Sequence, residues 1–177
     1  MATWNSRGLR GSTLEDLINF TNETYRDKGI ALIQKIPTPI KPISIDKSTR
    51  HITLAYFEQK SSVDYIGVVQ GIPVCFDAKE CSKDTFALQN IHEHQYRFME
   101  EYEKQNAISF ILLFFRERNE MYYVPFRDIK IFYERGLNGG RKSIRYEEID
   151  KTYKIGSTPG APVHYLEQLQ MDLTFRD

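Results

Sequence analysis

The residues of this sequence best suited to chemistry fall in one stretch, DYIGVVQGIPVCFDAK, from Asp64 to Lys79. Two β-rich runs, Asp64–Val69 and Ile72–Ala78, flank Gln70-Gly71, which predicts a hairpin with a two-residue turn. Alternate residues of a strand share a face, so Asp77 and Lys79 project together. Asp64 joins them if the register sets the start of its strand opposite that end. Two carboxylates and an ammonium on one edge are costly unless a cation binds. Mg²⁺ suits the set, because hard oxygen donors hold it while it keeps several waters and contacts phosphate oxygens. Such an ion stabilises charge on a phosphodiester and acidifies an attacking water, with Lys79 orienting that water or stabilising the developing charge. The same residues also describe a solvent-facing strand with a cross-strand ion pair worth about 0.2–1 kcal/mol. Phe76 and Ala78, interleaved with the charges, favour a buried strand over that bland face, but spacing alone does not choose.

Other polar residues are less specific. His92 and His94 are two apart on a predicted helix and so point in different directions, which suits surface or supporting groups better than a metal pair. Gln95 lies one turn after Ile91 on the inner stripe, where its amide needs a partner. It is either a satisfied core glutamine or a contact to a metal-bound water or phosphate. Glu15, in the first turn of a helix, is by default a surface acid favoured by the helix dipole. Gly139-Gly140-Arg141-Lys142-Ser143 lacks a phosphate-loop frame and reads as a solvated basic loop or a contact to a phosphate backbone. Cys75 and Cys81 lack the spacing of a zinc or redox pair and are expected to be reduced and structural. No sequence frame marks a serine hydrolase triad.

The elements that must position these residues follow from pattern. A chain of 177 residues, 41% hydrophobic and 27% charged, is ordinary globular composition and excludes a fully disordered chain. It suits one domain over residues 1–177. Its most apolar run, Ile108–Phe115, is too short to span a bilayer, and no apolar stretch follows Arg7 and Arg10. A soluble, cytoplasmic protein with no membrane partner is expected. Net charge is zero, 24 basic against 24 acidic residues, so any DNA-binding surface must come from uneven distribution. Between Lys35 and Lys60 five basic residues face two acidic ones. Ser12 or Thr13 caps a first helix through Leu14, Leu17, Ile18, Thr21 and Tyr25, closed by Gly29. Ile30–Ile36 reads as a short buried strand, and Pro37, Pro39 and Pro42 forbid its continuation. Residues 38 to about 50 form an extended arm or ribbon leaving the domain, and His51–Phe57 resumes a strand. Asp84 or Thr85 introduces a helix over Leu88–Gln105, followed by strands Ile108–Phe115 and Met121–Pro125. A short helix, Phe126–Arg135, ends at Gly136, and a terminal helix covers Val163–Leu173. This order predicts an α/β fold with a mixed sheet.

Several separated motifs together resemble the RecU-type Holliday junction resolvases, a branch of the PD-(D/E)xK nuclease superfamily. They are SRG-x(5)-LED-x(5)-N from Ser6 to Asn22, KIPTPI from Lys35, AYFEQKSSVDYIG from Ala55, FDAKE from Phe76, FALQNIHEHQ from Phe86, and GRKSIR from Gly140. The resemblance runs through most of the chain. It implies a restriction-endonuclease-like core, a mixed central sheet flanked by helices, with residues 38–53 as a protruding stalk that enters a four-way junction. It implies a metal site of Asp64 and Asp77 with Ser62 and Gln95, loaded with Mg²⁺ or Mn²⁺. Lys79 then stands as the transition-state-stabilising lysine, and Glu15 as a first-helix acid near the metal. The family commonly has Glu where this chain has Asp77, and Ser62 stands where relatives can carry Thr. Lys41, Lys47 and Arg50 are expected to meet phosphates at the crossover, Phe57 to stack on a base, and Arg141 and Lys142 to contact DNA. The implied partners are junction DNA, a second copy of the chain, and a recombinase. The implied reaction is symmetric paired nicking that leaves 5′-phosphate and 3′-hydroxyl ends. Rival readings are a nuclease preferring other branched DNA and a junction-binding recombination regulator without cleavage. The intact Asp64–Asp77–Lys79 set argues against the regulator.

Overall fold

A computed structural model describes residues 13–57 and 62–176. Thr13 caps helix α1 (Leu14–Asp27): its side chain accepts from the Asp16 N–H while Asp16 reaches back to the Thr13 N–H. Ser12, the alternative cap, and the Ser6 to Gly11 part of the first motif lie outside the described residues. At the other end Gly29 takes φ +65°, which lets Ile30 N–H reach the Tyr25 carbonyl at 3.0 Å and closes the helix as expected.

Strand β1 (Ala31–Lys35) follows, then β2 (Ile40–Ile45), β3 (Ile52–Phe57), β4 (Tyr65–Val69), β5 (Ile72–Cys81) and β6 (Thr85–Ala87). Helix α2 (Glu93–Glu103), strands β7 (Ile108–Phe115) and β8 (Glu120–Pro125), and helix α3 (Phe126–Leu137) come next. The chain finishes with β9 (Ser143–Arg145), β10 (Gly156–Thr158), β11 (Ala161–His164) and α4 (Leu166–Thr174). The central sheet runs β1-β4-β5-β7-β8 and is antiparallel throughout except for the parallel pair β5–β7. Helices cover both faces, giving the mixed α/β architecture expected. Alternation along β7 sorts the core: Ile108, Phe110 and Leu112 pack with α1, α4 and β11, whereas Ile111, Leu113 and Phe115 pack with α2, α3, β6 and β9. Among the described residues no helix is long and apolar enough to cross a membrane.

Four expectations need correction. Ile30–Ile36 is not a buried strand: among the described residues β1 is an edge strand pairing only with β4, and Leu32 is 61% exposed. The helix expected from Leu88 begins only at Glu93, because Thr85–Ala87 pairs with Ser143–Arg145 and Leu88–Asn90 makes a single 3₁₀ turn. Asp84 and Thr85 therefore cap nothing. The terminal helix begins at Leu166, since Val163 belongs to the short hairpin β10–β11. Gly136 also fails to end α3, which runs on to Leu137.

β2 and β3 form their own two-stranded antiparallel ribbon, with Ile40 opposite Phe57 and Ile45 opposite Ile52. Every residue of the two strands except the half-buried Ala55 is exposed. The extended arm is therefore a ribbon that includes Leu54 to Phe57, beyond the boundary at residue 53.

Candidate active site

The register of the β4–β5 hairpin decides the site. Gln70 and Gly71 take φ of 46° and 90°, the left-handed pair that a two-residue hairpin turn requires. Tyr65 then lies opposite Phe76, and the two rings stack at 4.7 Å. Phe76 stacks in turn on Phe110, and Phe110 on Tyr123, at 4.7 and 4.3 Å. This aromatic ladder crosses β4, β5, β7 and β8 on the α1 face. A one-residue slip of β4 against β5 would break it and turn the opposite face inside out. One step beyond the Tyr65–Phe76 pair, Asp64 comes opposite Asp77.

The two aspartates are joined reciprocally. Asp77 Oδ1 accepts the Asp64 backbone N–H at 2.8 Å, and Asp64 Oδ2 accepts the Ala78 N–H at 3.0 Å. Asp77 is fully buried, and among the described residues its Oδ2 has only the Lys79 ammonium, 3.2 Å away, as an ion-pair partner. Burial pushes the Asp77 carboxyl up to about 6; the Lys79 ammonium opposes that rise and the Asp64 charge adds to it.

The α2 N-terminus closes the site from above the sheet. His92 is its N-cap, and Gln95, at the third helical position, accepts the His92 N–H through Oε1 at 3.1 Å. The same oxygen accepts from Lys79 Nζ at 3.3 Å. Gln95 is thus a nearly buried residue whose carbonyl anchors Lys79 beside Asp77. The two histidines do not diverge as helical spacing predicted. His92 stands outside the helix in extended conformation, so its ring stacks on His94 at 5.4 Å and 12°.

Glu15 and Asp64 line one cleft of about 540 Å³ together with Lys35, Pro37 and Thr38. Glu15 is ion-paired to Lys35 there. Sequence pattern placed Lys35 only within a basic stretch; the KIPTPI motif was the signal that it stands at a special place. Ser62 is half-buried just before the strand, and Glu58 to Ser61 lie outside the described residues.

Lys47 and Arg50 sit in the turn at the tip of the ribbon. There Asp46 Oδ1 gathers the N–H groups of Ser48 and Thr49, and Arg50 takes φ 59°. Lys41 lies on β2 opposite Tyr56, and Phe57, 74% exposed, closes the ribbon at its base. Arg141 is not a free cation: its guanidinium pairs with Glu148, which Arg135 also holds at 2.6 Å. Lys142 remains exposed beside it.

A divalent cation fits these donors. Among the described residues no three His, Cys, Asp or Glu side chains converge as a closed metal cage. Mg²⁺ does not demand one, since one or two carboxylates with waters and phosphate oxygens suffice. Asp77 Oδ2 is a buried oxygen with only the Lys79 ammonium beside it among the described residues, and Asp64 lies opposite on the neighbouring strand. Gln95 is the less available donor, because its oxygen already serves His92 and Lys79.

The family model for Recombination protein U (RecU) matches residues 9–171. The chain belongs to the RecU family. It is 43% identical over 148 residues to a Holliday junction resolvase RecU of Geobacillus sp. strain WCH70, covering 81% of this chain and 74% of that one. A protein of the same description from Lactococcus lactis subsp. lactis is 42% identical over 165 residues, covering 90% and 76% of the two chains. Among solved structures, the Archaeoglobus fulgidus Holliday junction resolvase Hjc superposes on 59% of this chain and 74% of its own. The TM-score is 0.33 at 7% identity, a likeness too slight to bear on fold or activity.

Proposed function

We propose that this RecU-family chain is a Mg²⁺-dependent, structure-selective endodeoxyribonuclease that resolves Holliday junctions by paired symmetric nicks in DNA recombination and repair. Its relatives' description supports the substrate. The observation that carries the chemistry is the buried Asp77 oxygen beside Asp64 whose one partner among the described residues is the Lys79 ammonium. When bound, a divalent cation supplies charge neutralisation at the scissile phosphate and a more acidic water. Asp64 and Asp77 are the residues to hold it, with Ser62 at the edge. Manganese, with the same preference for oxygen donors, is expected to substitute.

The protein's own groups do the rest. Lys79, tethered by Gln95 and Asp77, presents an ammonium where charge develops on the phosphate, with little reorganisation left to do. Glu15 shares the cleft with Asp64 and is held there by Lys35. The exposed ribbon is the stalk: its two strands span about 20 Å, enough to enter a junction centre. Lys41, Lys47 and Arg50 meet crowded phosphates, Phe57 stacks on a base, and Lys142 lends a further charge. A two-fold symmetric substrate calls for a C2 homodimer with two sites. We place this single nuclease domain in the cytoplasm, working beside a recombinase.

Cleavage of a synthetic four-way junction against a matching linear duplex, in Mg²⁺ or EDTA, for wild type and Asp77→Ala, tests this reading. Paired symmetric nicks on the junction alone, lost in EDTA and in the variant, are expected. Tight junction binding without cutting would replace the nuclease with the recombination regulator. Equal cutting of flaps or forks would reassign the substrate.

A further inference from the structure

We infer that the polar groove beyond Lys79, at the end of β5, holds the sugar–phosphate backbone of the strand being cut, with Arg116 and Lys83 as its phosphate partners. The inference rests on the nuclease reading above and extends it to how the cut strand is held. Asp77, Lys79 and Cys81 alternate along one strand, and Cys81 packs with the α2-face cluster. The face that carries the candidate site therefore continues past Lys79. A groove of about 380 Å³ opens there, lined by the acidic Glu80 and by Ser82, Lys83, Thr85, Asn90 and Arg116 among others. From Asp77 to Cys81 the strand rises about 13 Å, which matches about four nucleotides at 3.4 Å of axial rise each.

The groove has the chemistry that a nucleic-acid backbone meets. Ser82, Thr85 and Asn90 are exposed and bring neutral donors suited to phosphate and sugar oxygens. Two cations stand over them. The Arg116 N–H donates to the Cys81 carbonyl at 2.9 Å, which docks the start of the β7–β8 turn against the end of β5. Its side chain is 59% exposed, and Glu80, its ion-pair partner, is 3.7 Å away. An exposed pair at that distance contributes little, so exchange of Glu80 for a phosphate costs little. Lys83 is exposed and makes no ion pair among the described residues.

The neighbouring cations differ. Arg118 is clamped on Asp84 by two bonds of 2.5 Å, and Lys151 Nζ is folded 3.2 Å from the Tyr146 ring centroid. The basic cluster at this end of the sheet thus divides into cations engaged by the fold and two left facing the groove.

The test is junction binding in Ca²⁺ across a salt series, for wild type, Arg116→Gln, Lys83→Gln, the double variant and Arg116→Lys. Lys28→Gln, at the far end of α1, serves as a charge-matched control. Removing one cation from a phosphate lowers the slope of log K against log salt by about 0.7–0.9, or roughly five- to eightfold in Kd at 0.1 M salt. We expect one step for each single variant, two for the double, and recovery in Arg116→Lys, with melting temperatures unchanged. Slopes equal to that of Lys28→Gln would overturn the groove assignment. Cleavage by wild type on the same junction in Mg²⁺ reports separately on the nuclease reading. A wild type that cuts, with variants of unaltered slope, sinks only the groove; one that binds without cutting sinks the nuclease and leaves the slopes to judge the groove.

Discussion

At the residue scale the molecule turns on one buried carboxylate. Burial raises the Asp77 carboxyl from 3.8 to about 6, so the folded state favours its protonated form. Its contribution to stability is fully present below the unfolded value near 4 and is lost as pH rises through about 6. At neutral pH without metal the ionised group costs on the order of 1–3 kcal/mol. Asp77→Asn is therefore expected to unfold at higher denaturant than wild type in EDTA at pH 7.5, with the gap closing near pH 4. A less stable variant at pH 7.5 would show that the ion pair with Lys79 outweighs burial. Adding Mg²⁺ should raise the melting temperature of wild type but not of Asp77→Asn, since only a ligand that binds the folded site shifts the equilibrium. Gln95→Ala frees Lys79 and breaks the reciprocal cap of α2. It should lower the cleavage rate about 10–100-fold while junction affinity stays within about twofold, because orientation rather than charge is lost.

At the scale of elements, Gly67 shows how closely the site depends on strand packing. A Cβ at this position would lie 2.2 Å from the Leu32 carbonyl oxygen and 2.7 Å from Ile33 Cα. Both are backbone atoms of β1, so no rotamer relieves the clash. Gly67→Ala is expected to destabilise the fold by about 2–3 kcal/mol or to peel β1 from β4. Either outcome moves Lys35, and with it the partner of Glu15. Chemical denaturation together with amide exchange over residues 31–35 checks this. Unchanged protection of β1 and unchanged stability would mean that the two strands give way at no cost. The α2 N-terminus belongs to the same scale. Its cap residue, its buried glutamine and its stacked histidines all follow from the helix beginning at Glu93 rather than Leu88.

At the scale of the whole molecule the ribbon stands apart. Its residues are nearly all exposed, so replacing residues 40–57 with a short polar loop removes almost no core. The truncated protein should keep its melting temperature within a few degrees and lose discrimination between junction and duplex. A collapse in stability would instead show that the ribbon braces the body or a partner subunit. Acid resistance is also a property of the assembled molecule. Glu120 is held down to about 2, first by Lys154 and then by the Tyr146 and Tyr122 hydroxyls. Its contribution is present above about 4.5 and disappears as pH falls toward 2. Glu120→Gln should therefore lose stability at pH 7 and show a flatter decline in acid, read by denaturation midpoints.

The hairpin, its turn and the pairing of Asp77 with Lys79 were legible in the amino-acid order, because period-two alternation and a Gln-Gly turn are local facts. So was an extended arm, since three prolines within six residues forbid a helix or a central strand there. Family motifs carried the choice between a solvent-facing ion pair and a metal site, which spacing left open. That Asp77 is fully buried with one oxygen facing only Lys79 among the described residues was legible only in three dimensions, because burial depends on α2 and β7 arriving from distant sequence. The late start of α2 was hidden for the same reason: Thr85–Ala87 pairs with Ser143–Arg145, and propensity cannot see a partner so far along the chain. The edge position of β1, the engagement of Arg141 by Glu148 and the groove beside Arg116 are likewise products of long-range packing.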